Sequence, residues 1–115
     1  MSTLKAKYGT YEEENLGYDI TITCGSSTNP DHNYNITKKW NVITTVLDNH
    51  GVCHLPPSKI GMTFFIKNNA SNKIYTDIYP FPGESINNNI NVPIQLNWAG
   101  AVAFTCIDGG DWKTF

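Results

Sequence analysis

The chain has 115 residues and a formal net charge of −2 at pH 7, and each of its eight basic residues is a lysine. This length predicts one domain that buries roughly 65% of its unfolded surface in a single core, and the lack of arginine argues against nucleic-acid recognition. No apolar run approaches the about 18 residues that a membrane helix needs, and the first residues lack a secretory signal, so we expect a soluble protein made in a cytoplasm, with neither membrane nor nucleic acid as a partner.

Residues 1–17 are predicted to form an N-terminal arm in front of a folded domain that spans residues 18–115. The arm has no clean periodicity and holds two lysines, three consecutive glutamates and two tyrosines. Tyrosine supplies contact area at low entropic cost, which favours docking onto a neighbour over the alternative of a disordered tail. The candidate interface residues are the aromatic and apolar side chains of this region: Leu4, Tyr8, Tyr11, Leu16 and Tyr18.

Alternation of apolar and polar residues predicts short strands that each have one buried face. Residues 36–47 are rich in β-branched side chains and predict a central strand, and residues 52–55 predict a short strand that a proline pair ends. Between the first two strands, residues 25–35 are rich in turn formers and predict an exposed loop. The first strand, residues 18–24, alternates strictly and places four residues on its inward face: Tyr18, Ile20, Ile22 and Cys24.

The second half of the chain predicts two hairpins and an edge strand. Residues 62–66 and 74–79 are predicted to pair across an asparagine-rich turn. Residues 90–96 alternate around Pro93, which points to a sheet edge or a bulge because proline cannot donate to a ladder. Residues 101–112 predict a closing hairpin with a glycine-containing turn.

The spacing of these segments predicts the fold class. No α-helical pattern is present, and about eight short strands recur at intervals of about ten residues. The sequence therefore predicts an all-β fold, a single antiparallel β-sandwich or jelly-roll-like domain with an extended N-terminal arm.

Three cysteines, Cys24, Cys53 and Cys106, give an odd count that argues against a complete disulfide framework. Each lies on or beside a predicted strand. We interpret them as small buried apolar residues in a reducing compartment. A bond from Cys106 to one of the other two stays an open alternative.

No predicted cluster of polar residues exceeds chance as a chemical site. His50, Cys53 and His54 are residue types that zinc prefers, but a strand projects positions 53 and 54 to opposite faces. Ser58, His54 and Asp77 supply the residue types of a hydrolase triad without a nucleophile elbow. We predict no catalytic residue, no cofactor and no metal site.

Several short motifs follow one another between Trp40 and Phe115. The order is a proline-ended strand, a glycine, an asparagine-rich turn, a Tyr-Pro…Pro-Gly…Ile-Asn segment and a closing Phe…Cys…Gly…Trp hairpin. This order resembles that of a small structural protein of tailed-phage particles, although the N-terminal arm and the loop 26–35 lie outside the shared pattern. The matching positions are Leu55-Pro56-Pro57, Gly61, Asn68-Asn69, Tyr79-Pro80, Pro82-Gly83, Ile86-Asn87, Phe104, Cys106, Gly110 and Trp112.

The resemblance implies a virion structural protein without catalytic residues. Such proteins are capsid decoration (cement) proteins or small fibre and spike domains, with a β-sandwich that tends to trimerise. The leading hypothesis is a decoration protein that binds the outer capsid surface and stabilises contacts between major capsid subunits. It implies the major capsid protein as partner, a homotrimer, and a location on the virion after synthesis in the host cytoplasm.

Three alternatives remain open from sequence. A receptor- or carbohydrate-binding fibre domain would use the loop 25–35 and an aromatic platform. A small enzyme and a cellular β-sandwich interaction module are the other two. The residues of the aromatic platform would be Tyr75, Tyr79, Trp98 and Trp112.

Overall fold

The structure is a computed structural model that describes residues 17–26 and 28–115. This part of the chain contains eleven β-strands, one short 3₁₀-helix at Pro30–His32 and no α-helix, so the all-β prediction is confirmed. The strands are β1 Tyr18–Cys24, β2 Tyr34–Asn35, β3 Trp40–Val46, β4 Gly51–His54, β5 Thr63–Asn68, β6 Thr76–Tyr79, β7 Ser85–Ile86, β8 Asn89–Ile90, β9 Ile94–Leu96, β10 Ala101–Asp108 and β11 Asp111–Thr114.

The strands form two mixed sheets, so the prediction of a single antiparallel β-sandwich or jelly-roll-like domain is wrong. Sheet A has the order β1-β3-β5-β10-β11-β7-β8, and sheet B has the order β2-β4-β6-β9. The strands β1, β3 and β5 pair in parallel, as do β2, β4 and β6. The chain therefore alternates between the two sheets in stacked coils, which is a β-solenoid-like arrangement.

The predicted hairpin of residues 62–66 with residues 74–79 is also wrong, because β5 belongs to sheet A and β6 to sheet B. The chain turns a corner at Asn68, which is fully buried. Its amide nitrogen donates to the carbonyls of Ile74 (3.0 Å) and Leu96 (3.1 Å), and its oxygen accepts from the Ala70 N–H (3.1 Å). One side chain thus satisfies backbone groups that a hairpin ladder would have paired.

The core lies between the inner faces of the two sheets. Its aromatic centre is an edge-to-face pair of Phe64 and Trp112, whose ring centroids are 5.7 Å apart. All three cysteines are free and buried, which confirms their interpretation as small apolar core residues. The largest fully buried apolar side chains are Trp112, Phe64, Phe104, Ile22, Ile36, Ile43, Leu55, Ile66, Ile78 and Ile86.

The coils approach one another closely at Gly51, the first residue of β4. A Cβ atom there would clash with the Thr76 hydroxyl and lie 2.6 Å from the Cys24 sulfur. The Cys24 sulfur lies 3.7 Å from the same hydroxyl. Its hydrogen bond with Cys53 lowers the pKa of the Cys24 thiol and raises the pKa of Cys53. The position requires glycine because no side chain fits between the coils.

An antiparallel cap closes the C-terminal end of the coils. β10 pairs with β5 in sheet A, and β9 pairs with β6 in sheet B. The predicted closing hairpin is confirmed as β10 and β11. A buried carboxylate fixes its turn, since Asp111 accepts from the Ser85 hydroxyl (2.5 Å), the Asn88 N–H (2.9 Å) and the Lys113 ammonium (2.8 Å).

Several residues predicted to point inward are exposed. In β1 only Ile22 and Cys24 are buried, because the pairing with β3 shifts register between Asp19 and Thr23 and turns the start of the strand outward. Tyr18 and Ile20 are therefore exposed, as are two residues of the predicted edge strand, Ile90 and Val92. The predicted strand 90–96 is split in two, since β8 lies at one edge of sheet A and β9 at one edge of sheet B, with Pro93 between them.

Candidate functional site

A lateral row of side chains crosses the outer face of sheet A. The strand register pairs Tyr18 with Trp40, Trp40 with Phe65, and Phe65 with Ala103. The backbone of Ala103 exchanges two hydrogen bonds with that of Phe115, at 3.2 and 2.9 Å. These five residues form what we term the aromatic row. Neighbouring strands lie about 4.8 Å apart, so five positions span roughly 19 Å.

Three members of the aromatic row are exposed although they are apolar, and the other two, Phe65 and Ala103, are half-buried. The exposed fraction is 67% for Tyr18, 52% for Trp40 and 75% for Phe115. The rings of Trp40 and Phe65 stack with centroids 4.3 Å apart and planes 11° apart. Single exposed apolar residues are ordinary, but a contiguous apolar patch marks an interaction surface.

A groove of about 420 Å³ opens beside the aromatic row. The only charged residue on its lining is Lys67, whose ammonium donates to the carbonyl of Ala99 at 2.7 Å. Such a lining suits apolar side chains better than sugar hydroxyls, which need several convergent polar groups. The lining residues are Trp40, Asn41, Val42, Phe65, Ile66, Lys67, Ala101, Val102, Ala103 and Phe115.

The residue after Trp40 holds the row in place. Asn41 is buried, and its amide nitrogen donates to the carbonyls of Lys38 (2.8 Å) and Phe65 (3.2 Å). These bonds tie the start of β3 to β5 from the inner side. Since successive side chains of a strand alternate faces, the inward Asn41 sets the outward direction of Trp40.

Among the described strands β1 lies at one edge of sheet A, and its own side chains partly block this edge. Asp19 accepts from the Thr21 N–H (3.1 Å) and from the Tyr34 hydroxyl (2.7 Å). The bond from Tyr34 is the main reason that the pKa of Asp19 is lowered, and burial together with the same bond raises the pKa of Tyr34. Because the Thr21 N–H is already satisfied and β1 is bulged, this edge is a poor template for an added strand.

A histidine–carboxylate pair fixes the loop after β1. Asp48 accepts from His32 Nδ1 at 2.9 Å and from the Ser26 N–H at 3.0 Å, and the bond from His32 lowers the pKa of Asp48. The Ser26 hydroxyl is bonded to Thr28 (2.9 Å) and not to the imidazole. The pair therefore lacks an aligned nucleophile, and its role here is to hold the loop.

The structure does not bring together the polar residues that the sequence analysis considered as a zinc site or a hydrolase triad. His54 Nε2 lies 3.0 Å from the Asn33 side-chain oxygen, and burial lowers the pKa of His54. The Ser58 hydroxyl donates to the Glu84 carboxylate at 3.1 Å. The hydrolase triad of Ser58, His54 and Asp77 that was considered from sequence is therefore not assembled. Among residues 17–26 and 28–115, no group of three or more His, Cys, Asp and Glu side chains is placed to hold a metal ion.

The aromatic residues weighed as a sugar platform are dispersed. Tyr75 stacks on His50 and Tyr79 on His54, with centroids 5.6 and 5.7 Å apart. The Lys73 ammonium lies 5.1 Å above the ring of Trp98, and Trp112 is in the core. They do not form one flat surface.

Four of the predicted interface residues, Leu4, Tyr8, Tyr11 and Leu16, lie outside the described residues, as does most of the predicted arm. The fifth, Tyr18, stands at one end of the aromatic row. Sequence reasoning missed the other members, Trp40, Phe65, Ala103 and Phe115. Their alternation with buried neighbours gave a partial signal, but their alignment depends on the register of distant strands.

No helix in the described ranges is both long enough and apolar enough to cross a bilayer. The sequence matches no family model, and it has no match among curated proteins. The resemblance to phage structural proteins therefore rests on the motif order alone.

Proposed function

We propose that this protein is a non-enzymatic structural protein that binds another protein through the aromatic row. Its specific form is a decoration protein on the outer surface of a viral capsid, with the major capsid protein as partner and a homotrimer as the bound unit. The observation that carries the proposal is a contiguous apolar row on the outer face of sheet A, in which Tyr18, Trp40 and Phe115 are exposed and the ring of Trp40 stacks on that of Phe65. The motif order supplies the viral context.

The mechanism is the burial of apolar surface on a neighbour. A stable interface takes about 800 Å² from each partner, and a few aromatic residues near its centre supply most of the binding energy. The stacked pair of Trp40 and Phe65 supplies such a centre, and it is held by two parallel strands, so little order is lost on binding. A trimer would bind several capsid subunits at once, so that modest contacts at each subunit together give a high overall affinity.

The alternative fibre domain that binds a glycan is less well supported. Its platform residues are dispersed, and the groove beside the aromatic row is lined mainly by apolar residues. A sugar site needs hydrogen-bonding groups around its aromatic surface. We therefore propose a protein partner.

The test is the occupancy of purified capsids that have been prepared without this chain. Wild-type protein, the variant Phe115→Glu and the control Ile60→Glu are each added, and bound copies are counted per particle. Both substituted residues are exposed, at 75% and 72%, but Ile60 is not in the aromatic row. We expect wild type and Ile60→Glu to bind with the same high copy number per particle, and Phe115→Glu to lose most of this occupancy.

Two outcomes would contradict the proposal in different ways. Equal occupancy by wild type and Phe115→Glu would remove the aromatic row from the interface. No binding of wild type to any particle would remove the capsid as partner.

A further inference from the structure

We propose that the aromatic row of the free protein is covered by an N-terminal segment of the same chain, residues 4–8, until a partner displaces it. The inference rests on the proposed function in treating the row as a docking surface for protein. It adds the identity of the occupant in the unbound state.

The point at which the chain enters sheet A favours this occupant. The carbonyl of Gly17 accepts from the N–H groups of Lys39 (3.1 Å) and Trp40 (3.2 Å). The chain preceding Gly17 therefore begins at the Tyr18 end of the row, directly beside Trp40. Residues 9–16 could bridge up to about 27 Å when extended, which exceeds the roughly 19 Å length of the row.

The sequence of residues 4–8 matches the chemistry of the row. Leu4, Ala6 and Tyr8 alternate with two lysines. In an extended segment the three apolar side chains would share one face and the lysines would face solvent. The small side chains of Ala101 and Ala103 leave room on the sheet for Leu4 or Tyr8 to enter the groove.

Charge favours the same path. Residues 12–14 are three consecutive glutamates that lie a few positions before Gly17. Lys38 and Lys39 immediately precede Trp40 in the chain, and the Lys39 backbone N–H bonds to the Gly17 carbonyl at the entry point. Opposite formal charges that lie close to the entry point in sequence favour a linker that stays near sheet A. Strand addition at the β1 edge is disfavoured instead, because the Thr21 N–H is satisfied by Asp19.

The consequence is a competition between segment and partner. A short tether gives the segment an effective concentration of order millimolar, so weak contacts suffice to cover the row. The partner has to displace it, which lowers the partner's apparent affinity by the covered fraction.

The test uses the full chain with Lys5→Cys labelled by a nitroxide. The label site is predicted to face away from the row, and the native cysteines of the described domain are buried. We expect loss of amide NMR intensity at Val42, Ala101 and Ala103, and none at Asp77 on the outer face of sheet B. In Phe115→Glu carrying the same label, the loss should disappear, while the rest of the spectrum should show that the fold is kept.

A mixture of labelled chain and unlabelled ¹⁵N chain identifies the source of the segment. Broadening of the ¹⁵N chain in the mixture would show docking onto a second copy and would overturn the proposal. The absence of selective broadening in the labelled chain, or its persistence in Phe115→Glu, would also overturn it. None of these results changes the capsid occupancy, so the proposed function is judged separately.

Discussion

The inner and outer faces of the same three strands, β3, β5 and β10, use apolar residues for different purposes. Phe64 points inward, is 1% exposed and packs edge-to-face on Trp112. Phe65, the next residue, points outward and stacks on the partly exposed Trp40. The inner face supplies folding energy, whereas the outer face keeps apolar surface that a partner can bury. This comparison separates residues that hold the fold from residues that are available for binding.

The largest expected effect separates Phe64 from Phe65. Phe64→Ala should lower the free energy of unfolding by about 3–5 kcal/mol, because it leaves a cavity beside Trp112. Phe65→Ala should cost about 1 kcal/mol, since it removes mainly the stacking with Trp40. Urea denaturation of both variants measures the difference. Equal losses would show that the outer face also belongs to the core.

A smaller effect tests how closely the coils stack. Gly51→Ala should lower the free energy of unfolding by about 1–3 kcal/mol, because the added methyl group meets Cys24 and Thr76. Gly109→Ala is the matched control, since a Cβ atom there meets nothing within 4 Å. Thermal denaturation compares the two variants. A tolerated Gly51→Ala would contradict the close approach of β4 to the neighbouring strands.

The acid side of the pH profile tests two side chains outside the core, His54 and Asp48, which bond to residues of the loop after β1. Burial lowers the pKa of His54 below 6.5, and the bond from His32 lowers the pKa of Asp48 below 3.8. In both cases the unfolded chain binds its proton at the higher pH, so stability is present above these values and is lost as pH falls through the folded pKa.

The midpoint of urea unfolding should therefore fall in two ranges on acidification. His54→Gln should flatten the profile just below pH 6.5, and Asp48→Asn should flatten it below pH 3.8. Each variant is the control for the other. A profile that neither substitution changes would show that these contacts do not differ between the folded and unfolded states.

The smallest expected effect on stability is at the end of the aromatic row. Phe115→Glu should change the free energy of unfolding by less than about 0.5 kcal/mol, because the side chain is 75% exposed. Calorimetry of this variant and of Ile60→Glu measures it. A large loss would mean that Phe115 supports the fold, and the occupancy assay would then need Trp40→Ser as a second variant.

The local elements could be predicted from sequence, and the pairing of distant strands could not. The bounds of β1 and the hairpin of β10 and β11 follow from alternation and turn residues that lie close together in the chain. Alternation reports a buried face but not the partner strand, so parallel coils and an antiparallel sandwich give the same pattern. The sequence predicted a hairpin turn at Asn68 instead of a corner between the sheets, because asparagine is common in hairpin turns and in corners alike.

The candidate site was the least predictable part for the same reason. Tyr18, Trp40 and Phe65 become neighbours only when three parallel strands are set in register. Tyr18 was also expected to point into the core, but a bulge in β1 turns its side chain outward. The arm residues expected to form the interface precede the described residues, and their role stays a prediction.

The most direct test of the proposed binding surface is a reconstruction of a capsid decorated with this protein, at a resolution that places side chains. We expect Trp40, Phe65 and Phe115 to be buried against a neighbouring protein subunit. A bound chain whose aromatic row faces solvent, with the contact made through sheet B or the cap, would contradict it.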